Sequence, residues 1–173
     1  MTLSIEQKSV YLTIINSTMI LRSIGQRLRN HCRLREFKIR VVKESEILID
    51  KMEKCKLLEN DIIVSIDKFC DEFNISFGQA QKAINVLLKY HYYLYEKYLT
   101  NHSKIKSVLH CPLDSKILEE LHIRNKPLTR IDKKEYIDIQ NEIHDKMYSK
   151  GLHRIDFDRE VYDTGYLKDR GIL

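Results

Sequence analysis

Turn-forming residues are scarce in this chain. Five glycines and two prolines are spread over 173 residues, too few for a fold of many short strands, each of which needs a turn. The four cysteines, Cys32, Cys55, Cys70 and Cys111, nowhere form a Cys-x-x-Cys pair. The pattern of a zinc ribbon or dithiol redox motif is therefore absent, and the thiols read as reduced and mostly buried. No apolar run approaches the ~20 residues of a membrane span. Glu6, Lys8, Arg22 and Arg27 interrupt the opening of the chain in a way that a secretory signal does not tolerate. A hydrophobic content of 43% is enough to close one core. The expectation is a single all-α domain over residues 1–173, without membrane association and cytoplasmic, or nuclear in a eukaryote.

The net charge of +5 is unevenly placed. Arg22, Arg27, Arg29, Arg33, Arg35, Lys38, Arg40 and Lys43 stand together against one acid, Glu36. Arginine is the side chain best suited to phosphate, so the segment predicts a polyanion partner, with Arg27, Arg29, Arg33, Arg35 and Lys38 as nucleic-acid contacts. A solvated helix face, or a site for an acidic protein, is the other reading of the same residues.

Helical spacing of apolar residues organises the rest. Ser4 and Gln7 form a capping box that opens a helix running to about Asn30. A second helix is predicted from about Arg35 to Leu58, with Ile39, Val42, Ile49 and Met52 inward. Asn60 or Asp61 caps a third, ending at Phe73. Asn74 to Gly78 is a connector whose Asn and Gly permit a reversal, and the helix from Gln79 to Tyr98 that follows is apolar enough to lie at the centre of the fold. Thr100 to Ser107 breaks the pattern. Asp114 or Ser115 then caps a short helix, Asp132-x-x-Glu135 opens another that Gly151 stops, and a last helix runs from near Asp156 to Gly165.

Two helices joined by a tight connector, here residues 61–98, describe a helix-turn-helix, a helix-hairpin-helix or a plain αα-hairpin. The sequel narrows the choice. Phe77-Gly78-Gln79-Ala80-Gln81-Lys82-Ala83-Ile84-Asn85, followed by His110-Cys111-Pro112-Leu113-Asp114-Ser115-Lys116-Ile117-Leu118, resembles the helix-hairpin-helix DNA glycosylase superfamily. The spacing of the two motifs is closest to that of the archaeal 8-oxoguanine DNA glycosylases. The family's usual Leu-Pro-Gly-x-Gly hairpin is absent, and Asn74 to Gly78 stands in its place. The resemblance covers roughly residues 60–165. It implies a base-excision enzyme, an N-glycosylase and possible lyase, that acts on DNA without a cofactor. On the matching positions it makes Lys82 the lyase lysine, Asp114 in segment 110–121 the catalytic aspartate, and Gly78 and Gln79 part of the nucleic-acid contact.

The residue types suit that chemistry. Breaking an N-glycosidic bond builds positive charge on the sugar, which a fixed carboxylate stabilises, and a partly neutral lysine amine can attack C1′. Tyr90, His110 and Cys111 are the candidate base pocket, because enzymes of this kind extrude the target nucleotide. Each assignment has a structural counterpart: Asp114 as an ordinary N-cap, Lys82 as a surface cation, the tyrosines as packing. His153, Asp156 and Asp158 could suggest a metal, but capping by Asp156 explains that position more simply, and no metal is predicted. The alternative function is a non-catalytic nucleic-acid-binding helical protein with a helix-turn-helix-like element.

Overall fold

The structure, a computed structural model, describes residues 4–17, 24, 28 and 33–164. Among them the chain is all α, with eight α-helices: α1 (Ile5–Ser17), α2 (Leu34–Glu53), α3 (Glu59–Phe73), α4 (Phe77–Tyr95), α5 (His102–Val108), α6 (Ser115–Glu120), α7 (Lys133–Tyr148) and α8 (Arg154–Arg159). A turn of π-helix, Glu160–Thr164, continues α8. Arg22, Arg27 and Arg29, and the predicted helix ends at Asn30 and Gly165, lie outside the described residues.

The centre of the fold is α4, as its apolar content predicts. Ala80, Ala83, Ile84 and Leu87 have no exposed surface, and α1, α2, α3 and α7 all pack against this helix. Helices α2 and α3 meet through Phe37, whose ring stands edge-on to Phe69 and Phe73 at centroid distances of 5.7 and 5.0 Å. Burying each such ring contributes about 2 to 3 kcal/mol. Ile39, expected inward on α2, is 44% exposed; Phe37, Val41 and Leu48 take the inner face with Val42, Ile49 and Met52.

Capping sets most helix starts. Gln7 N–H donates to Ser4 Oγ at 3.2 Å while Ser4 N–H donates to Gln7 Oε1 at 2.9 Å. Asp132 Oδ1 accepts from Glu135 N–H at 2.9 Å, but the Glu135 carboxylate pairs with Lys126. Asp61 and Asp156 are not caps. Each sits at the third helical position and reaches back to the N–H before the helix, Asp61 to Leu58 and Asp156 to His153, at 3.0 Å in both cases. An acid there satisfies one orphan donor as well as a cap does, so each helix starts earlier than expected. The stretch Thr100 to Ser107, expected to break the helical pattern, is helical from His102 onward as part of α5, anchored by the buried Ile105.

The α3–α4 reversal differs most from expectation. Asn74, in the left-handed region at φ 49°, turns the chain, and Ser76 caps α4 in a box with Gln79. Gly78 is therefore already helical. It is glycine because the chain at Leu128–Ile131 crosses directly over it: Gly78 N–H donates to the Ile131 carbonyl at 3.0 Å, and a Cβ would stand 2.3 Å from the Leu128 carbonyl oxygen.

Candidate active site

Asp114 is an extended residue ahead of α6, and its carboxylate is held at both oxygens. Oδ1 accepts the Lys116 and Ile117 N–H groups at 3.1 Å each, the capping expected from sequence. Oδ2 accepts the Tyr162 hydroxyl at 2.5 Å and lies 3.4 Å from Lys82 Nζ. The Lys82 and Asp114 side chains, from α4 and the start of α6, are 13% and 16% exposed. The structure thus brings together the two residues that the sequence singles out for chemistry. Tyr162 was not foreseen. It comes from the π-turn after α8, and Lys116 Nζ lies over its ring, 4.8 Å from the centroid. Burial and the adjacent Asp114 carboxylate push the phenol's pKa far up, so it remains a donor to Oδ2.

A second lysine of α4, two turns further on, makes a matching contact: Lys89 Nζ is 2.7 Å from Asp158 Oδ2, with exposures of 17% and 8%. Lys106 pairs with Asp156 at 2.7 Å. The two aspartates considered for a metal are therefore engaged by lysines, and no group of three His, Cys, Asp or Glu suited to a metal occurs among the described residues.

His110 and Cys111 do not line an open pocket. They are 2% and 0% exposed, whereas Tyr90 sits at the surface, 37% exposed, with Lys89 Nζ 5.2 Å from its ring centroid. Burial raises the Cys111 thiol pKa, which keeps it a neutral packing group. His110 belongs to a polar chain that runs from the buried Asn85 to Glu59 at the surface. Asn85 Nδ2 donates to Tyr136 Oη at 2.8 Å, the phenol meets His110 Nδ1 at 2.6 Å, and His110 Nε2 meets Glu59 Oε1 at 2.8 Å. Arg154 holds Glu59 through both carboxylate oxygens, at 2.6 and 3.0 Å. An amide nitrogen only donates and a carboxylate only accepts, so the proton order is fixed: Tyr136 donates to Nδ1, and His110 carries its hydrogen on Nε2. Burial lowers the His110 pKa, while hydrogen bonds from His110 and Arg154 hold Glu59 well below the usual carboxylate range.

Open space lies beside α6, and neither Lys82 nor Asp114 borders it. A cavity of about 640 Å³ is bordered by Ser115, Leu118, Ile123, Arg124, Lys126 and Pro127, within the size range of ligand clefts.

The predicted nucleic-acid contacts divide in two. Gly78 and Gln79 face inward, with the Gly78 N–H bonded to Ile131 and the Gln79 side chain to Ser76, so this turn presents neither to a phosphate. Arg33 is spent within the protein: Nε bonds Glu36 Oε2 at 2.9 Å, Nη1 bonds the Glu72 carbonyl at 2.7 Å, and the guanidinium lies 4.7 Å from the Phe73 ring centroid. Arg35 is exposed and Lys38 half-buried. Comparison with family models, with curated proteins and with solved structures finds no match to this chain.

Proposed function

We infer that this protein excises a base from DNA by cleaving the N-glycosidic bond, with Lys82 and Asp114 as its chemical pair. The observation that carries the reading is the 3.4 Å approach of Lys82 Nζ to Asp114 Oδ2, two shielded side chains 32 residues apart in sequence. Two backbone N–H groups fix the carboxylate, as a group must be fixed if it is to stabilise charge developing at C1′ without reorganising. In the lyase form of the reaction Lys82 first gives up a proton, for which Asp114 is the nearest acceptor. The amine then bonds to C1′ as the C1′–base bond breaks; the base leaves with that electron pair and takes the proton that the newly bonded nitrogen sheds. The freed nitrogen lone pair then forms C1′=N as the C1′–O4′ bond opens, O4′ takes the proton first passed to Asp114, and an iminium remains between C1′ and Lys82. A cavity bordered by Ser115, Glu119, Arg124 and Lys126 begins one residue along the chain from Asp114 and offers two cations to a strand's phosphates, although Lys82 and Asp114 are not among its lining residues.

The second reading is a non-catalytic nucleic-acid-binding helical protein. It is favoured by Tyr162, whose hydroxyl already occupies the Asp114 oxygen nearest Lys82. Base release from duplexes that each carry one oxidised, deaminated or alkylated base separates the two. Release by the wild type that slows by orders of magnitude in Asp114→Asn supports excision. Duplexes that are bound but left intact select the second reading.

A further inference from the structure

Residues 110–114 form no helix or strand, yet His110, Cys111, Pro112 and Leu113 are all buried. A buried extended backbone must find hydrogen-bond partners. Here two side-chain amides supply them. Cys111 N–H donates to Gln140 Oε1 at 3.0 Å and Gln140 Nε2 returns a bond to the Cys111 carbonyl at 2.7 Å. Two residues on, Leu113 N–H donates to Gln81 Oε1 at 3.1 Å and Gln81 Nε2 returns one to the Leu113 carbonyl at 2.9 Å. Each glutamine bonds its residue as a neighbouring strand would.

The two clamps differ in what lies beside them. Gln81 precedes Lys82, and Leu113 precedes Asp114, so a single pair of hydrogen bonds ties the side chain next to one member of the ion pair to the backbone next to the other. The Gln81 amide has one workable orientation. Its Nε2 also donates to the Gly78 carbonyl at 3.1 Å and its Oε1 also accepts from Asn85 Nδ2 at 3.0 Å, so a flipped amide would oppose donor to donor and acceptor to acceptor. Asn85 in turn is held by Tyr136, at the head of the chain through His110 to Glu59.

We propose that Gln81 is a positioning residue for the Lys82–Asp114 pair, its two-bond clamp on Leu113 setting the register in which carboxylate and amine meet. The consequence for chemistry rests on the base-excision reading; the geometric claim does not.

The test is a double-mutant cycle. Unfolding of Lys82→Met, Asp114→Asn and the double variant by urea gives the coupling between the two residues, measured in the wild-type, Gln81→Met and Gln140→Met backgrounds. The expected coupling is about two- to fivefold in the unfolding constant. It should disappear with Gln81→Met and persist with Gln140→Met, which loses an equivalent clamp away from the pair. If Gln81→Met does not fold, Gln81→Glu, which keeps an acceptor for Leu113 N–H but no donor for its carbonyl, takes its place. Coupling that survives loss of the Gln81 clamp, or that is missing from the wild type, overturns the proposal. Single-turnover base release should slow at least tenfold in the Gln81 variant with DNA affinity within twofold of wild type. A wild type that releases no base removes the excision reading alone, because the coupling still decides the role of Gln81.

Discussion

Gly78 lies directly beneath the Leu128 carbonyl: a Cβ at this position would come within 2.3 Å of that oxygen and 2.8 Å of Ile131 Cβ. Both neighbours are fixed, one being backbone and the other a fully buried side chain. Gly78→Ala should therefore destabilise the fold by roughly 1 to 3 kcal/mol despite the better helix propensity of alanine. Urea unfolding measures it. Unchanged or increased stability would show that the 128–131 crossing yields without cost.

Tyr11 and His91 join α1 to α4 by a contact of 2.5 Å between Oη and Nδ1, with both residues fully buried. Burial brings His91 down to about 4, against ~6.5 in an unfolded chain. Between those values the unfolded chain binds more protons, so stability present above pH 6.5 is lost as pH falls toward 4. His110, lowered by burial against the pull of Glu59, acts in the same direction. Glu53, 3.4 Å from His91 Nε2 and itself raised by burial, opposes the effect at the acid end. The unfolding free energy should drop by roughly 2 kcal/mol from pH 7.5 to pH 5. His91→Asn keeps an acceptor for Tyr11 and should reduce that slope without abolishing it. A flat wild-type profile would contradict neutral packing of the two histidines.

Arg33 and Arg40 act as struts from α2 to α3, Arg40 through Nε bonds of 3.0 and 3.1 Å to the Glu72 carboxylate. Arg35 and Lys43 are exposed. If α2 meets DNA, Arg35→Ala and Lys43→Ala should each lower the salt slope of binding by about 0.9 and leave stability alone, whereas Arg33→Ala should cost stability. Binding titrations at several salt concentrations distinguish them. A slope that Arg33 controls and Arg35 does not would reverse the assignment.

Local chemistry was legible in the sequence, and long-range chemistry was not. Ser4 with Gln7, and Asp114 with the N–H groups of α6, obey rules written in three or four residues, and each holds in the structure. Gly78 was taken for a turn glycine because the reason for it lies fifty residues away at Leu128. The charge of the Arg-rich segment was counted against Glu36 alone, while its second acid, Glu72, arrives from α3. The Lys82–Asp114 approach was read from resemblance to a family; spacing alone does not dictate it. Tyr162 and Gln81 gave no signal, since a tyrosine or a glutamine looks the same in sequence whether it faces water or holds a buried backbone.

The most direct measurement is borohydride trapping on duplexes that carry a modified base or an abasic site. The account predicts a covalent protein–DNA adduct from the wild type and its loss in Lys82→Gln, with DNA affinity kept because one cation among many phosphate contacts matters little. An adduct of equal yield from Lys82→Gln, or none from the wild type on any of these duplexes, would contradict the assignment of Lys82 as the attacking amine.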